Sequence, residues 1–250
     1  MRLSILVLTI ASCVSAETPS EPPTLIRLIR DHAGAADALA RGYGEARAET
    51  TVLGMTAITG SGENWLVEAF DSFAGLEDLD RALNALTQPA LTPDAPAKTL
   101  LLYQPALSYR PDQAMRLLPK ARYFYASIFQ IKPGSDADFA ELVKLRRLGY
   151  DSINLDRPEI AYHLLSGGPA GTYVFLAPLT SLRAFDNGLA KTPAYAEAVV
   201  ESGAKSGRKI AADIELIREH YLLRTMPQLS YVPDEFAMEN PEFWGSRPKK

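Results

Sequence analysis

An eight-residue motif occurs twice in this chain, and it narrows the available folds more than any other feature. Pro105-Ala106-Leu107-Ser108-Tyr109-Arg110-Pro111-Asp112 returns as Pro227-Gln228-Leu229-Ser230-Tyr231-Val232-Pro233-Asp234, with six of eight positions identical. Each copy follows a Leu-Leu pair, Leu101-Leu102 and Leu222-Leu223. Upstream, the apolar stretch Trp65 to Phe70 followed by Phe73 to Asp80 is matched by Tyr173 to Pro178 followed by Leu179 to Asp186. A weaker match pairs Ala35 to Leu39 with Asp136 to Ala140, each just after a glycine, Gly34 or Gly134. Self-similarity on this scale means one supersecondary unit written twice. The offset between copies grows along the chain, so the second copy carries an insertion.

The order of elements can be read for each copy. In the first, residues 24–30 read as a strand, Ala-rich 35–48 as a helix, and 51–59 as a strand rich in Val, Ile and Thr. A turn at 61–63 leads into a strand over 64–71, making a hairpin. Apolar residues at 76, 79, 82, 83 and 86 have the helical period, and 99–104 is the last strand. The second copy predicts a strand over 122–131, a helix over 135–152, and a hairpin of 160–166 with 172–177. Helices follow within 180–218, including an extra segment between 194 and 215, and a last strand runs over 220–225. The domain plan is therefore a first repeat over 24–112, a connector over 113–120, a second repeat over 121–234 and a C-terminal tail over 235–250. Each repeat is α+β with the order βαββαβ, the ferredoxin-like arrangement. Helices cover one face of such a sheet. The other face is apolar and needs cover, which a second copy packed face to face supplies.

With this order, the Lys132-Pro133-Gly134 turn and the duplication, the chain resembles the dimeric α+β barrel superfamily, which includes antibiotic-biosynthesis-monooxygenase-like and NIPSNAP-like domains. The resemblance covers about residues 24–234 as a tandem fusion. The ending Tyr231 to Phe236 with Asn240 to Trp244 resembles that of exported bacterial proteins of this type. It implies a fold and not an activity, since function is carried by sites grafted onto folds.

The N-terminus reads as an export signal. Met1-Arg2 is a positive start, residues 3–11 are mostly apolar, and Ser12-Cys13-Val14-Ser15-Ala16 offers a small-x-small cleavage site. The run is too short to span a bilayer, which takes about 20 residues. Residues 1–16 are thus read as a signal peptide and 17–23 as a polar, proline-rich linker, in an exported, periplasmic or secreted, protein. The rival reading takes Ile10-Ala11-Ser12-Cys13 as a lipobox, with the chain lipid-anchored through Cys13. Cys13 is the only cysteine, so a chain cleaved after Ala16 has no disulfide or thiol nucleophile. A formal net charge of -4 with dispersed basic residues argues against a nucleic-acid surface.

The chemistry is less legible. There is no phosphate-cradling Gly-rich loop, no H-E-x-x-H and no G-x-S-x-G. Nothing in the spacing of His32, His163 and His220 supports a metal site. His163, in the strand Ala161 to Leu165, is the candidate catalytic residue. An imidazole inside a barrel can act as a general base, or bind a haem iron as in some members of the resembled superfamily. The plainer reading is a core histidine with one hydrogen bond. No cofactor is predicted, with haem left open. Candidate ligand-binding residues are Trp65 and Tyr173, at matching places in the third strand of each repeat, and Tyr125 in the Tyr123-Phe124-Tyr125 run; such aromatics line pockets but also fill cores. Arg27 and Glu68 are charges inside strands, costly to bury unless paired. They form an interior pair or an anion-reading group if they share a face, or point to solvent. The duplicated Leu-Ser-Tyr is read as a latch fixing each exit segment onto the other half.

Three functions follow. The first is a protein binding a small hydrophobic ligand between its repeats. The second is a monooxygenase-like oxidoreductase using His163, and the third an envelope protein with a structural or interaction role and no pocket. Whether it is an enzyme stays open, as does monomer against homodimer.

Overall fold

The computed structural model describes residues 21–32, 34, 36–45, 50–60, 62–86, 96–201 and 204–247. The expected signal peptide and lipobox lie outside these residues. The strands are β1 (Leu25–Asp31), β2 (Thr51–Ala57), β3 (Asn64–Phe70), β4 (Ala97–Tyr103), β5 (Tyr123–Ile131), β6 (Ile160–Ser166), β7 (Thr172–Leu179) and β8 (Glu215–Thr225). The helices are α1 (Ala36–Glu45), α2 (Phe73–Leu86), α3 (Pro111–Leu117), α4 (Asp136–Ser152), α5 (Arg183–Ala190), α6 (Thr192–Glu201), α7 (Ala204–Ile214), α8 (Asp234–Met238) and α9 (Pro241–Trp244).

The eight strands close into one antiparallel barrel in the order β1-β3-β2-β8-β5-β7-β6-β4. Strands β1 to β4 occupy one arc as β4-β1-β3-β2, and β5 to β8 the other as β8-β5-β7-β6, the same internal order. The arcs meet at two seams, β2 with β8 and β4 with β6. Closure gives each of these strands a neighbour on both sides, although β8 meets β2 only over residues 223–225.

Strand alternation explains the sequence pattern. In β1, Ile26 and Leu28 join the barrel core with Met55, Trp65, Leu101, Phe124, Tyr162, Val174 and Leu223. Leu25 and Ile29 face the other way and pack with Ala40, Tyr43 and Leu79 of α1 and α2. Successive side chains alternate faces, and here both faces are covered. In the second arc, Phe129, Ile131, Ala161, Tyr173 and Phe175 form the outer layer, packed with Phe139 and Val143 of α4 and Ile214 of α7.

The duplicated motif latches each half to the other. After β4, the Ser108 Oγ accepts from the Ala161 N–H of β6 at 2.9 Å and donates to the Gln104 carbonyl at 2.9 Å. After β8, the Ser230 Oγ accepts from the Gly54 N–H of β2 at 2.9 Å and donates to the Met226 carbonyl at 2.8 Å. The tyrosines then bridge to the same partner strands' leading ends, Tyr109 with Glu159 and Tyr231 with Val52. Gly54 is required here, since a Cβ would lie 2.3 Å from the Leu229 Cβ and 2.5 Å from its carbonyl oxygen.

The C-terminal segment is a clasp. Trp244 is fully buried in the barrel core cluster, and its Nε1 donates to the Pro119 carbonyl at 2.8 Å. Phe236 and Phe243 meet its ring edge-on. Two sequence expectations shift. The last strand begins at Glu215, not 220, because α7 ends at Ile214 and Glu215 already pairs with Ile131. The matching of Trp65 with Tyr173 is one residue out: Trp65 lies in the barrel core and Tyr173 under the helices. A one-residue slip reverses the face.

Candidate functional site

The latches fix the structural correspondence between the halves. Gly54 and Ala161 hold equivalent places, and their cross-strand partners are Leu66 and Phe175. Two residues on along the same face, Glu68 therefore corresponds to Ala177. Their neighbours across the next ladder, Arg27 and Tyr125, correspond in turn.

The consequence, among the described residues, is a first half filled at this register and an open second half. Under α1 and α2, Arg27 binds the buried Glu68 carboxylate through Nε and Nη2, and Asp80 through Nη1 at 2.5 Å. The Tyr43 hydroxyl donates to the same Glu68 carboxylate. Arg27 and Glu68 thus share a face and form the interior pair, closed by Tyr43 and Asp80. In the second half the corresponding Tyr125 and Ala177 form no such pair, and a cavity of about 320 Å³ opens between sheet and helices. Its floor is Tyr125, Ser127 and Phe129 of β5 with Arg218 and His220 of β8. Phe139, Leu142, Val143, Arg146 and Tyr150 of α4 form one wall. Tyr195 of α6, with Gly207 and Ala211 of α7, comes from the insertion expected in the second repeat. Leu145, Arg157, Glu159, Arg208 and Glu215 complete the lining.

His220 sits at the centre of this arrangement. Its Nδ1 lies 3.0 Å from the Ser127 Oγ, and its ring stacks on Tyr125 at 5.4 Å and 13°. Its pKa is held below the ordinary histidine value, first by burial and then by the charges of Arg218, Arg146 and Arg157. Burial pushes the Tyr125 and Tyr195 phenols up, so both stay protonated at neutral pH. Arg146 pairs with the buried Glu159 at 2.5 Å and lies over the Phe175 ring at 4.5 Å. Glu159 is itself clamped by the first latch, through two main-chain hydrogen bonds of 2.9 Å with Tyr109.

The residues singled out from sequence disperse. Tyr125 lines the cavity. Trp65 lies in the barrel core. Arg27 and Glu68 belong to the other half. His163 does not point into the barrel: it pairs with Tyr173 across β6 and β7 on the helix-facing side, ring on ring at 4.4 Å. Tyr173 donates to Asp136 at 2.6 Å. Neither lines the cavity; Tyr173 borders it from behind, as the cross-strand partner of Phe129 and in ring contact with Phe139. Sequence reasoning missed His220, Ser127, Arg146 and Arg157. The Arg218-x-His220 alternation was the available signal, hidden by extending the helix to 218.

A second cavity, of about 230 Å³, lies between the halves inside the barrel. Ile26, Leu53 and Val67 line it from the first half, and Phe124, Ile160, Tyr162 and Leu176 from the second.

Neither haem nor a metal ion suits these residues. The His220 cavity lies at the bottom of the small-molecule range, with room for a few fused rings and not for a porphyrin with its side chains. His163, the haem candidate, borders neither of the two cavities. No cluster of three or more His, Cys, Asp or Glu side chains able to hold a metal occurs among the described residues. No helix among them is long and apolar enough to cross a membrane.

No family model and no curated protein matches the sequence. Solved structures do resemble the fold. An "anthrone oxidase-like protein" aligns over 83% of this chain and 93% of its own, with 10% identity and a TM-score of 0.53. A monooxygenase-type protein from Fusobacterium nucleatum aligns over 82% and 93%, with 10% identity and a TM-score of 0.50. A heme-binding protein from Thermus thermophilus covers 90% of this chain and 99% of its own at 11% identity, but its TM-score of 0.45 is too low to argue from. The chain has the dimeric α+β barrel fold, with the barrel closed within a single chain.

Proposed function

We propose that the second-half cavity is the working site of a monooxygenase-like oxidoreductase, acting on a flat aromatic substrate with His220 as proton acceptor. The observation that carries this reading is the state of His220. Burial and three nearby cations keep its ring neutral, so it stays a base at neutral pH. Tyr125, Phe129 and Phe139 offer aromatic surface to a planar ring system. The arginines favour the anion left when a weakly acidic C–H or O–H gives its proton to His220. In this reading His220 takes the role first sought at His163.

Anthrone is the first substrate to try, given the similar structure described as anthrone oxidase-like. Its CH₂ lies between two aromatic rings and is acidified by the ring carbonyl. Anthrone and dioxygen give anthraquinone and water. Dioxygen uptake with anthrone is expected from the native protein, and His220→Gln should slow it by about 100-fold or more. No uptake, or uptake unaltered by H220Q, refutes the reading.

The apolar cavity between the halves favours a second reading, a small hydrophobic ligand held inside the barrel. Native mass spectrometry of protein purified from its host tests it, and a bare mass counts against it. The matching strand orders of the two arcs support reading the chain as two ferredoxin-like repeats in tandem. We also read it as exported with cleavage after Ala16, which an N-terminus at Glu17 in the exported protein checks.

A further inference from the structure

We infer that the ligand of the second-half cavity carries a carboxylate-like anion and that Arg157 reads it; this rests on that cavity being the working site. The charge inventory of the lining comes first. Four guanidiniums, of Arg146, Arg157, Arg208 and Arg218, face two carboxylates, of Glu159 and Glu215. Arg146 is paired with Glu159, and Arg218 with Glu215 at 2.5 Å. Arg208 is exposed. That leaves Arg157, half-buried, with no carboxylate in ion-pair reach among the described residues. Its Nη2 donates to the Tyr150 hydroxyl at 3.3 Å, and its buried Nε has no acceptor.

Its setting holds the guanidinium while leaving donors free. Arg157 lies over the Tyr125 ring at 5.2 Å and the Tyr150 ring at 5.7 Å. Contacts to its faces steady the cation but do not use its in-plane N–H groups. Those groups form a fork that matches a planar carboxylate. Arg157 also borders a neighbouring cleft lined by Phe185 and Leu189, so an anion held there is reachable from outside. The first half supplies the contrast. There Arg27 finds its carboxylates within the chain, Glu68 and Asp80. At the register of Glu68 the second half has Ala177. A partly desolvated cation without a counter-charge is costly, and a ligand carboxylate supplies the missing one.

A matched pair of probes separates charge from shape: 2-naphthoate and its neutral isostere 2-naphthamide, titrated calorimetrically into the full chain at pH 7.5. The native protein should bind naphthoate ten- to a hundred-fold more tightly, the range of a charge-assisted hydrogen bond. Arg157→Gln should bring the two within about two-fold, and Arg157→Lys should recover only part of the preference, a point charge replacing a fork. The native preference needs no variant, so a misfolded R157Q does not decide the matter. If both probes bind and compete without preference, or if the preference survives in a folded R157Q, anion reading at Arg157 is overturned and the site reading stands. If neither probe binds, the site reading falls with it.

Discussion

The serine latches give the sharpest stability prediction. Ser230 is fully buried, and its hydroxyl serves two partners. Ser230→Ala removes the acceptor of the buried Gly54 N–H, while the Met226 carbonyl loses one of its donors and keeps the Leu229 N–H. A buried backbone group left unsatisfied costs about 1–3 kcal/mol, so S230A should lose about 2–3 kcal/mol. In a domain of this size each kcal/mol moves Tm by about 2–4 °C, so the midpoint should fall by about 5–10 °C. Ser108→Ala should cost the same, because Ser108 makes the same two bonds, to the Ala161 N–H and the Gln104 carbonyl. The latches share no partner, so the double variant should show the sum to within about 0.5 kcal/mol. Their reach differs, however. Ser108 and Tyr109 hold the start of β6, and with it the Glu159 that pairs with Arg146 in the cavity. Ser230 holds β2, which contributes nothing to that cavity. S108A should therefore weaken cavity ligands as well as the fold, and S230A the fold alone. Urea unfolding reads the first effect and naphthoate titration the second. Losses below about 0.5 kcal/mol, no larger than for the exposed Ser181→Ala, would refute the reasoning about the latches.

His220 gives a pH signature. Its folded pKa lies below the ordinary 6.5, so the unfolded chain binds the proton more readily. The stabilising contribution of the neutral ring is complete above about pH 6.5 and is lost as pH falls through the folded pKa. The stability difference between native protein and H220Q should shrink over that window, and an NMR titration placing the His220 pKa at or above 6.5 would contradict it. Trp244→Ala should cost about 3–5 kcal/mol by emptying a buried aromatic site and stranding the Pro119 carbonyl; a urea midpoint close to native would show that the C-terminal clasp is dispensable.

The fold was legible because its devices are local and repeated. Ser108 and Ser230 make identical bonds from identical motifs, so a sequence match reported a structural one. The strand expected over 24–30 is there as β1, and its near-continuous apolar run Leu25-Ile26-Arg27-Leu28-Ile29 has both faces covered. The site was less legible because it depends on register. Trp65 and Tyr173 look equivalent in a string, yet one residue of slip puts one in the core and the other under a helix. His163 is in a strand, as expected, but strand membership does not give the face. His220 and Ser127 are 93 residues apart and come together only through the pairing of β5 with β8, which the helix drawn to 218 concealed. Arg157 precedes β6 in a loop, with no pattern to mark it. Arg27 and Glu68 were marked by the cost of burying charge, and that cost is met by pairing them with each other.

On the tandem-repeat reading proposed above, duplication within one chain would account for the difference between the halves. Two separate copies of one chain must be alike, so a change that closes one cavity closes both. In a tandem fusion each half mutates alone. The first half has its inter-layer space filled by Arg27, Glu68, Tyr43 and Asp80, and the second has kept or gained a space roofed by its own inserted helices. The latches make the two interdependent even so. The first half ends in the Ser108-Tyr109 segment that clamps Glu159, and Glu159 neutralises Arg146 beneath the cavity. The first half is thus part of the site's framework without lining it. A substitution at Tyr109, on the strand-exit of a half that holds no part of the cavity wall, leaves the main-chain bonds to Glu159 in place and acts on the cavity through the side chain, whose ring meets that of the lining residue Tyr150 edge-on at 5.5 Å.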